Sequence, residues 1–434
     1  MLDLPDRGQT GSTLVSLQGG LSQRTYEADQ LAGVDPFDGK PLLARYDLAA
    51  ARKSITASSL ADRRAGGLWR WRELLPVRKW EFVTYMGEGW TPLQRAPALA
   101  SMTGLSNVHV KRESLNPTGS FKARGMAVAV SRAAELGAKR LVAPSAGNAA
   151  GALAAYAAAA GLPATLIMPA DAPLANQIEV LVAGGDLILL DGLISDCARL
   201  GRLIADELHA FDLSTLKEPY RIEGKKTMGF ELAEQMGWRL PDAIVYPTGG
   251  GTGLIGMWKA FDELEAIGLI GPERPRMFSI QVEGCAPIVR AFKEGKRFAE
   301  PWINAATAAA GLRVPAAIGD FLMLDCLRAS KGAAISVPER DLRPTQLKLA
   351  SAGLGYLSLE TAAAVAALPH LLEQRRIDRN ELVVVFDTGA GFKSEPPSEL
   401  NLPVPVANDP DRWDEIISRR TAPFRLRPES GHSP

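Results

Sequence analysis

Lys122 stands in the run Asn116-Pro-Thr-Gly-Ser-Phe-Lys-Ala-Arg-Gly125, where turn residues lead into a helical pattern. Asn116-Pro117-Thr118-Gly119 is turn chemistry, and Ser120 is the expected cap of the helix that follows. Lys122 then falls in the first helical turn, where the macrodipole disfavours a cation. A lysine so placed is primed to lose its proton and act as an amine nucleophile or Schiff base. Taken alone, it reads as a surface lysine with its stem along the helix. A second candidate is the glycine run Val-Tyr-Pro-Thr-Gly-Gly-Gly-Thr-Gly-Leu-Ile-Gly over residues 245–256. Converging N–H groups and a helix N-terminus make such a loop a phosphate site. Gly251, Gly253 and Gly256 also spell G-x-G-x-x-G, with Glu283 closing the next strand, which is a dinucleotide pattern. A plain strand-to-helix turn is the third reading, and the loop alone does not choose among them.

The elements that must position these residues alternate. Strands are expected at Val108–Lys111, Leu141–Ala143, Ala164–Met168, Leu187–Leu190, Ala243–Tyr246, Phe278–Val282, Ala334–Val337 and Leu382–Phe386. Helical patterns fill most of the gaps, among them Phe121–Leu136, Ala149–Ala160, Ile194–Leu208, Glu223–Met236 and Gly253–Glu265. That alternation means an α/β fold with largely parallel sheets. Leu141–Ala170 carries no charge and is long enough for a bilayer span, but prolines and Gly161 punctuate it. It reads instead as strand, loop, helix and strand, because buried parallel strands are also uninterrupted apolar runs.

Composition narrows the field. The 434 residues carry 49 Lys plus Arg against 49 Asp plus Glu, so neither nucleic acid nor an anionic membrane is the expected partner. Cys197, Cys285 and Cys326 lie too far apart for a metal cluster and form no disulfide framework. His109, His209, His370 and His432 show no metal-ligand spacing, so zinc hydrolysis is excluded and no metal is expected. The N-terminus has no basic region followed by an apolar core, and a reducing cytoplasm is the expected home.

Four motifs resemble, in order, those of fold type II pyridoxal-phosphate enzymes: NPTGSFKARG, PSAGNAAGA, the glycine loop and FDTGAGFK. GLWRWRELLPV, GEGWTPL and YRIEGKKTMGFELAEQ are similar to segments of the threonine synthase family, so the resemblance runs from about residue 68 to residue 393. It implies two parallel-sheet α/β domains with the active site in the cleft between them, and pyridoxal 5'-phosphate as cofactor. By the same resemblance Lys122 forms the Schiff base and then moves protons. Asn148 meets the phenolic oxygen, although as a residue it could equally cap its helix. Ser145, Ala146 and Gly147 face the substrate carboxylate. Gly249, Gly250, Gly251, Thr252 and Gly253 cradle the cofactor phosphate. Thr388 meets the pyridine nitrogen, with Asp387 a competitor and a simple strand-ending turn the duller alternative. Arg221 holds a substrate phosphate, with Ser214, Thr215 and Lys225 as helpers, where a lone arginine is otherwise solvated.

The resemblance divides the chain into an N-terminal segment (1–95), a large domain (96–127 and 221–395), a small mobile domain (128–220) and a tail (396–434). Leu17–Tyr46 resembles a small zinc-ribbon-like segment, but no cysteine precedes Cys197, so it must stand without metal. Two departures bear on substrate: Ala123 where the family often has Asp, and Ala146 where it often has Thr. The implied reaction takes O-phospho-L-homoserine and water to L-threonine and phosphate, in a homodimer. The alternatives are a dehydratase-like β-eliminase, a cysteate synthase-like β-replacement enzyme, a catalytically silent cofactor-binding protein, and, as an outsider, a nicotinamide dehydrogenase.

Overall fold

Each of the eight expected apolar runs is a strand, with ends shifted by at most two residues. The computed structural model describes residues 7–63 and 66–398, together with 400, 403, 405, 408–414 and 417. Its strands are β1 Leu14–Gly19, β2 Thr25–Tyr26, β3 Leu42–Tyr46, β4 Leu93–Arg95, β5 Asn107–Arg112, β6 Leu141–Pro144 and β7 Ala164–Pro169. They continue as β8 Asp186–Leu190, β9 Phe211–Asp212, β10 Ala243–Pro247, β11 Arg276–Val282, β12 Ala333–Val337 and β13 Leu382–Asp387.

Three sheets result. The largest has order β12-β11-β10-β13-β5-β4, parallel except for the edge strand β4. The second is all parallel, in the order β8-β7-β6-β9. In the large sheet, side chains alternate between two apolar layers: Val245, Ile280 and Val383 face one, and Ile244, Met277 and Val384 the other. In the second sheet Leu141 and Leu166 face one core, and Val142 and Ile167 the other. Burial on both faces explains why β7 and β10 are almost wholly apolar. The uncharged stretch 141–170 is thus strand, helix and strand, and no helix among the described residues is long and apolar enough to cross a membrane.

The N-terminal piece is the third sheet, β2-β1-β3, antiparallel. Asp35 is buried at its turn and accepts hydrogen bonds from the Tyr26 hydroxyl, the Ser22 hydroxyl and the Phe37 N–H. Among the described residues no group of acids, histidines or cysteines is placed to hold a metal there or elsewhere. The Trp-rich segment is a 3-10 helix, Gly67–Leu74, whose Trp71 is fully buried and stacks 4.5 Å from Phe230. Residues 1–395 cluster as one unit and 396–434 as another; the described part of the second holds a short turn at Pro410–Arg412 begun by the Asp409 side chain.

Candidate active site

The helix Lys122–Glu135 lies against the helix Arg221–Gln235, and two glycines let them touch. A Cβ on Gly224 would collide with the Arg124 carbonyl, and one on Gly125 would stand 2.9 Å from Lys225 Cε. Beneath the contact, Arg124 is fully buried, with Nε 2.6 Å from Glu113 Oε2 and Nη1 2.6 Å from Glu231 Oε1. Lys111 Nζ completes the cluster at 3.0 Å from Glu231 Oε2. Two cations and two carboxylates leave no net buried charge, and the hydrogen bonds tie the start of the Lys122 helix to β5 and to its neighbour. Ser120 is less of a cap than its type implies. Its Oγ reaches only the Lys122 N–H, at 3.4 Å, while its backbone bridges to Gly389.

Lys122 Nζ stands 4.1 Å over the Phe121 ring and makes no hydrogen bond or ion pair among the described residues. Removal from bulk water, and next the nearby Arg221 guanidinium, bring its ammonium down to about 7, while Glu360 acts in the opposite direction. A chain of contacts runs from Arg221 through Thr215 and the glycine loop to Glu360. Arg221 Nη1 donates to the Leu213 carbonyl at 2.8 Å and to Thr215 Oγ1 at 3.3 Å. The Thr215 methyl lies 2.8 Å from where a Gly250 Cβ would be. A Cβ on Gly249 would strike the Gly311 carbonyl, and the Gly311 N–H donates to Glu360 Oε1 at 2.7 Å. Glu360 in turn acts on Lys122.

Gly251 takes a left-handed φ of 83° before the helix Thr252–Ala266, and any Cβ there would meet the Met323 sulfur. The first N–H groups of that helix have no intrahelical partner and, with the glycine backbone, form a concave anion seat. Ser145 and Gly147 bond one another across the turn that opens the helix Asn148–Ala159. A Cβ on Gly147 would point into open space, so this turn borders the cleft, with Ala146 beside it. Asn148 is not the cap; Gly147 holds that position, and the Asn148 amide oxygen is enclosed without a partner among the described residues. Its Nδ2 lies 3.3 Å from where a Gly389 Cβ would stand, which brings Asn148 to the exit of β13.

At that exit Asp387 is already committed. Its carboxylate accepts from Ser114, from Arg112 Nε at 3.2 Å and from Thr361 Oγ1 at 3.2 Å, and burial pushes its pKa up to about 6 against those bonds. The Thr388 hydroxyl makes no hydrogen bond among the described residues, and its carbonyl accepts the Phe121 N–H at 3.1 Å. Thr388, not Asp387, is the group available to a ligand.

Two expected helpers point elsewhere. Ser214 Oγ donates to Asp212, two residues back, because the turn after β9 folds the hydroxyl onto that acid. Lys225 is fully buried and donates to the Phe121 carbonyl, away from the Arg221 side chain's partners. Two residues that no motif singled out join the site. Glu218 accepts the N–H groups of Tyr220 and Arg221 at 2.7 and 3.0 Å, and burial raises its pKa to about 7. Glu360 sits just after the Ser358 cap, and the Ser-x-Glu start of that helix is the only signal the sequence carries.

The site therefore offers an unpaired amine, a glycine-lined anion seat, an enclosed amide and a free hydroxyl. It also offers an arginine whose Nε is enclosed without a partner among the described residues. That set fits pyridoxal phosphate, whose aldehyde, phosphate, phenolic oxygen and ring nitrogen need those four kinds of group. Residues 84–389 match the family model described as pyridoxal-phosphate dependent enzyme. The chain is 33% identical over 371 residues to the threonine synthase of Methanocaldococcus jannaschii, covering 85% of this chain and 91% of that one. It is 37% identical over 324 residues to the threonine synthase of Methanosarcina acetivorans, covering 74% and 79%. Among solved structures, the processed form of threonine deaminase isoform 2 from Solanum lycopersicum superposes with a TM-score of 0.60 at 22% identity, over 76% of this chain and 82% of that one. Maize serine racemase superposes with a TM-score of 0.60 at 22% identity, over 76% and 92%. Both are likenesses of fold.

Proposed function

Because the chain belongs to the pyridoxal-phosphate-dependent enzyme family, we propose that it works as a threonine synthase, converting O-phospho-L-homoserine and water to L-threonine and phosphate. The observation that carries this reading is the pairing of a readily deprotonated amine, Lys122, with a buried arginine, Arg221, whose Nε has no partner among the described residues. The first suits proton removal from carbon, and the second suits a phosphate on the substrate.

Bound at this site, pyridoxal phosphate supplies the electron sink that lets a proton leave Cα of an amino acid. The remaining work falls to the chain. Gly249–Gly253 and the N–H groups from Thr252 onward hold the cofactor phosphate. Asn148 and Thr388 orient its ring, and a hydroxyl at Thr388 leaves the ring nitrogen less cationic than a carboxylate would. The turn Ser145–Gly147 presents the head of a helix to the substrate carboxylate. Burial brings the Lys122 ammonium down to about 7, so the free amine is accessible near neutral pH: it takes a proton from Cα and then one from Cβ as phosphate leaves Cγ, and it returns protons to Cγ and, once water has added at Cβ, to Cα. Arg221, with Thr215, holds the phosphate until it departs.

In this reading the small domain, residues 128–220 with the sheet β8-β7-β6-β9, closes over bound substrate and excludes water other than the reactant. The enzyme acts as a homodimer in the cytoplasm, which sedimentation and fractionation would check. Purified protein loaded with cofactor and given O-phospho-L-homoserine should release phosphate and equimolar threonine. Phosphate with 2-oxobutyrate instead would replace the reading by a dehydratase-like one, which Ala146 in the substrate turn would then explain.

A further inference from the structure

Lys225 is the residue next to the site whose chemistry the reaction leaves unused. Its side chain is fully buried on the helix Arg221–Gln235 and has no carboxylate partner among the described residues. Its amine donates to one acceptor, the carbonyl of Phe121, the residue that precedes Lys122 in the chain. Its stem fills the notch left by Gly125, on the same helix as Lys122. Both amines stand over one aromatic ring, Lys122 Nζ at 4.1 Å and Lys225 Nζ at 4.3 Å from the Phe121 centroid.

We propose that Lys225 is a positioning residue for Lys122: its amine holds the Phe121 carbonyl, and with it the peptide and ring that aim Lys122 into the cleft. An ammonium with three donors and one acceptor in a dry site is costly, whereas a neutral amine carries one donor fewer and no charge to desolvate. The charged groups facing it are Lys122 and Arg124 on the adjoining helix, Arg221 on its own helix, and Glu113 on the turn after β5. Glu113 is already paired with Arg124. Burial first, and then Lys122 and Arg221, push Lys225 well below the usual lysine range. Lys225 therefore acts as a neutral strut and adds no charge beside the reactive amine.

The inference rests on Lys122 being the reactive amine, and the test keeps the two apart. Lys225→Met removes the donor but keeps the stem, and Lys225→Gln restores a neutral donor. In cofactor-free protein, the pH at which Lys122 becomes acylated by an amine reagent, read by peptide mass spectrometry, should stay within about half a pH unit of wild type in both variants. In loaded protein, Lys225→Met should lower kcat by roughly 10–100-fold with KM little changed, as a small misplacement of a reacting group does. Lys225→Gln should recover most of that loss. A Lys122 labelling midpoint raised by a full unit in Lys225→Met would overturn the proposal, since Lys225 would then carry charge. Equal, wild-type kcat in both variants would overturn it as well, since no strut would be needed. If Lys122→Ala keeps its covalent hold on the cofactor, the reading of Lys122 itself fails, whatever the Lys225 variants do.

Discussion

At Lys122 burial and the Arg221 guanidinium act together to favour the free amine, and Glu360 acts against them. A lysine in water holds its proton to about pH 10.4, so the difference lies in the surroundings and not in the residue. A depressed value means the unprotonated form gains as pH rises through about 7. Acylation of Lys122 in cofactor-free protein should therefore climb between about pH 6 and 8, and a midpoint above about 9 would show that water reaches the amine freely. Arg221 makes the complementary prediction. Replacing it with alanine removes a charge-assisted contact of about 1.5–3 kcal/mol, so KM for the phosphorylated substrate should rise roughly 10–100-fold. Steady-state kinetics with O-phospho-L-homoserine tests this, and an unchanged KM would take Arg221 out of the site.

The helix Lys122–Glu135 is placed by what lies under its first turn. Arg124, Glu113, Glu231 and Lys111 balance only as a set, and all four are fully buried. Arg124→Met should leave two carboxylates facing one lysine and cost about 3–5 kcal/mol, measured by denaturant unfolding. Replacing Glu113 alone by glutamine in the same chain should recover part of that loss, because one carboxylate, Glu231, then faces one lysine, Lys111. The glycine loop is held by a different means: its glycines admit the Gly311 carbonyl, Thr215 and Met323 where side chains would otherwise stand. Packing at both elements serves approach of backbone to backbone or to ligand, and that is why glycines recur in the motifs.

Among the described residues of 1–395, Lys393, after β13, and Arg313, between β11 and β12, reach the helix and loop that follow β7. Lys393 is buried and donates to Glu179 and, at 2.7 Å, to the Thr118 carbonyl, while Asn176 Nδ2 donates to the Lys393 carbonyl at 3.2 Å. Arg313 Nη1 lies 3.2 Å from Asp171 on a more exposed side. The buried clasp is the stronger of the two, since exposed pairs contribute little and are screened by salt. Lys393→Met should raise amide hydrogen exchange across the helix Leu174–Val182 and raise KM more than it lowers kcat. Unchanged exchange in that helix would mean that the clasp does not hold the cleft closed.

The strands and the order of the motifs were legible in the sequence, because they depend on local patterns. A short apolar run, a run of glycines after a strand, or a lysine after Asn-Pro-Thr-Gly needs no knowledge of distant residues. The Trp-rich segment was visible too, but its partner Phe230 was not. Tertiary structure alone decided which neighbours each residue meets. It turned Ser214 onto Asp212 and Lys225 onto the Phe121 carbonyl, left Asn148 unpartnered, tied up Asp387 and set Thr388 free. It also brought Glu360 to the amine at Lys122 from more than two hundred positions away. The physical reason is that hydrogen bonding, burial and protonation depend on the atoms packed around a group, and sheet order rather than chain order supplies those atoms.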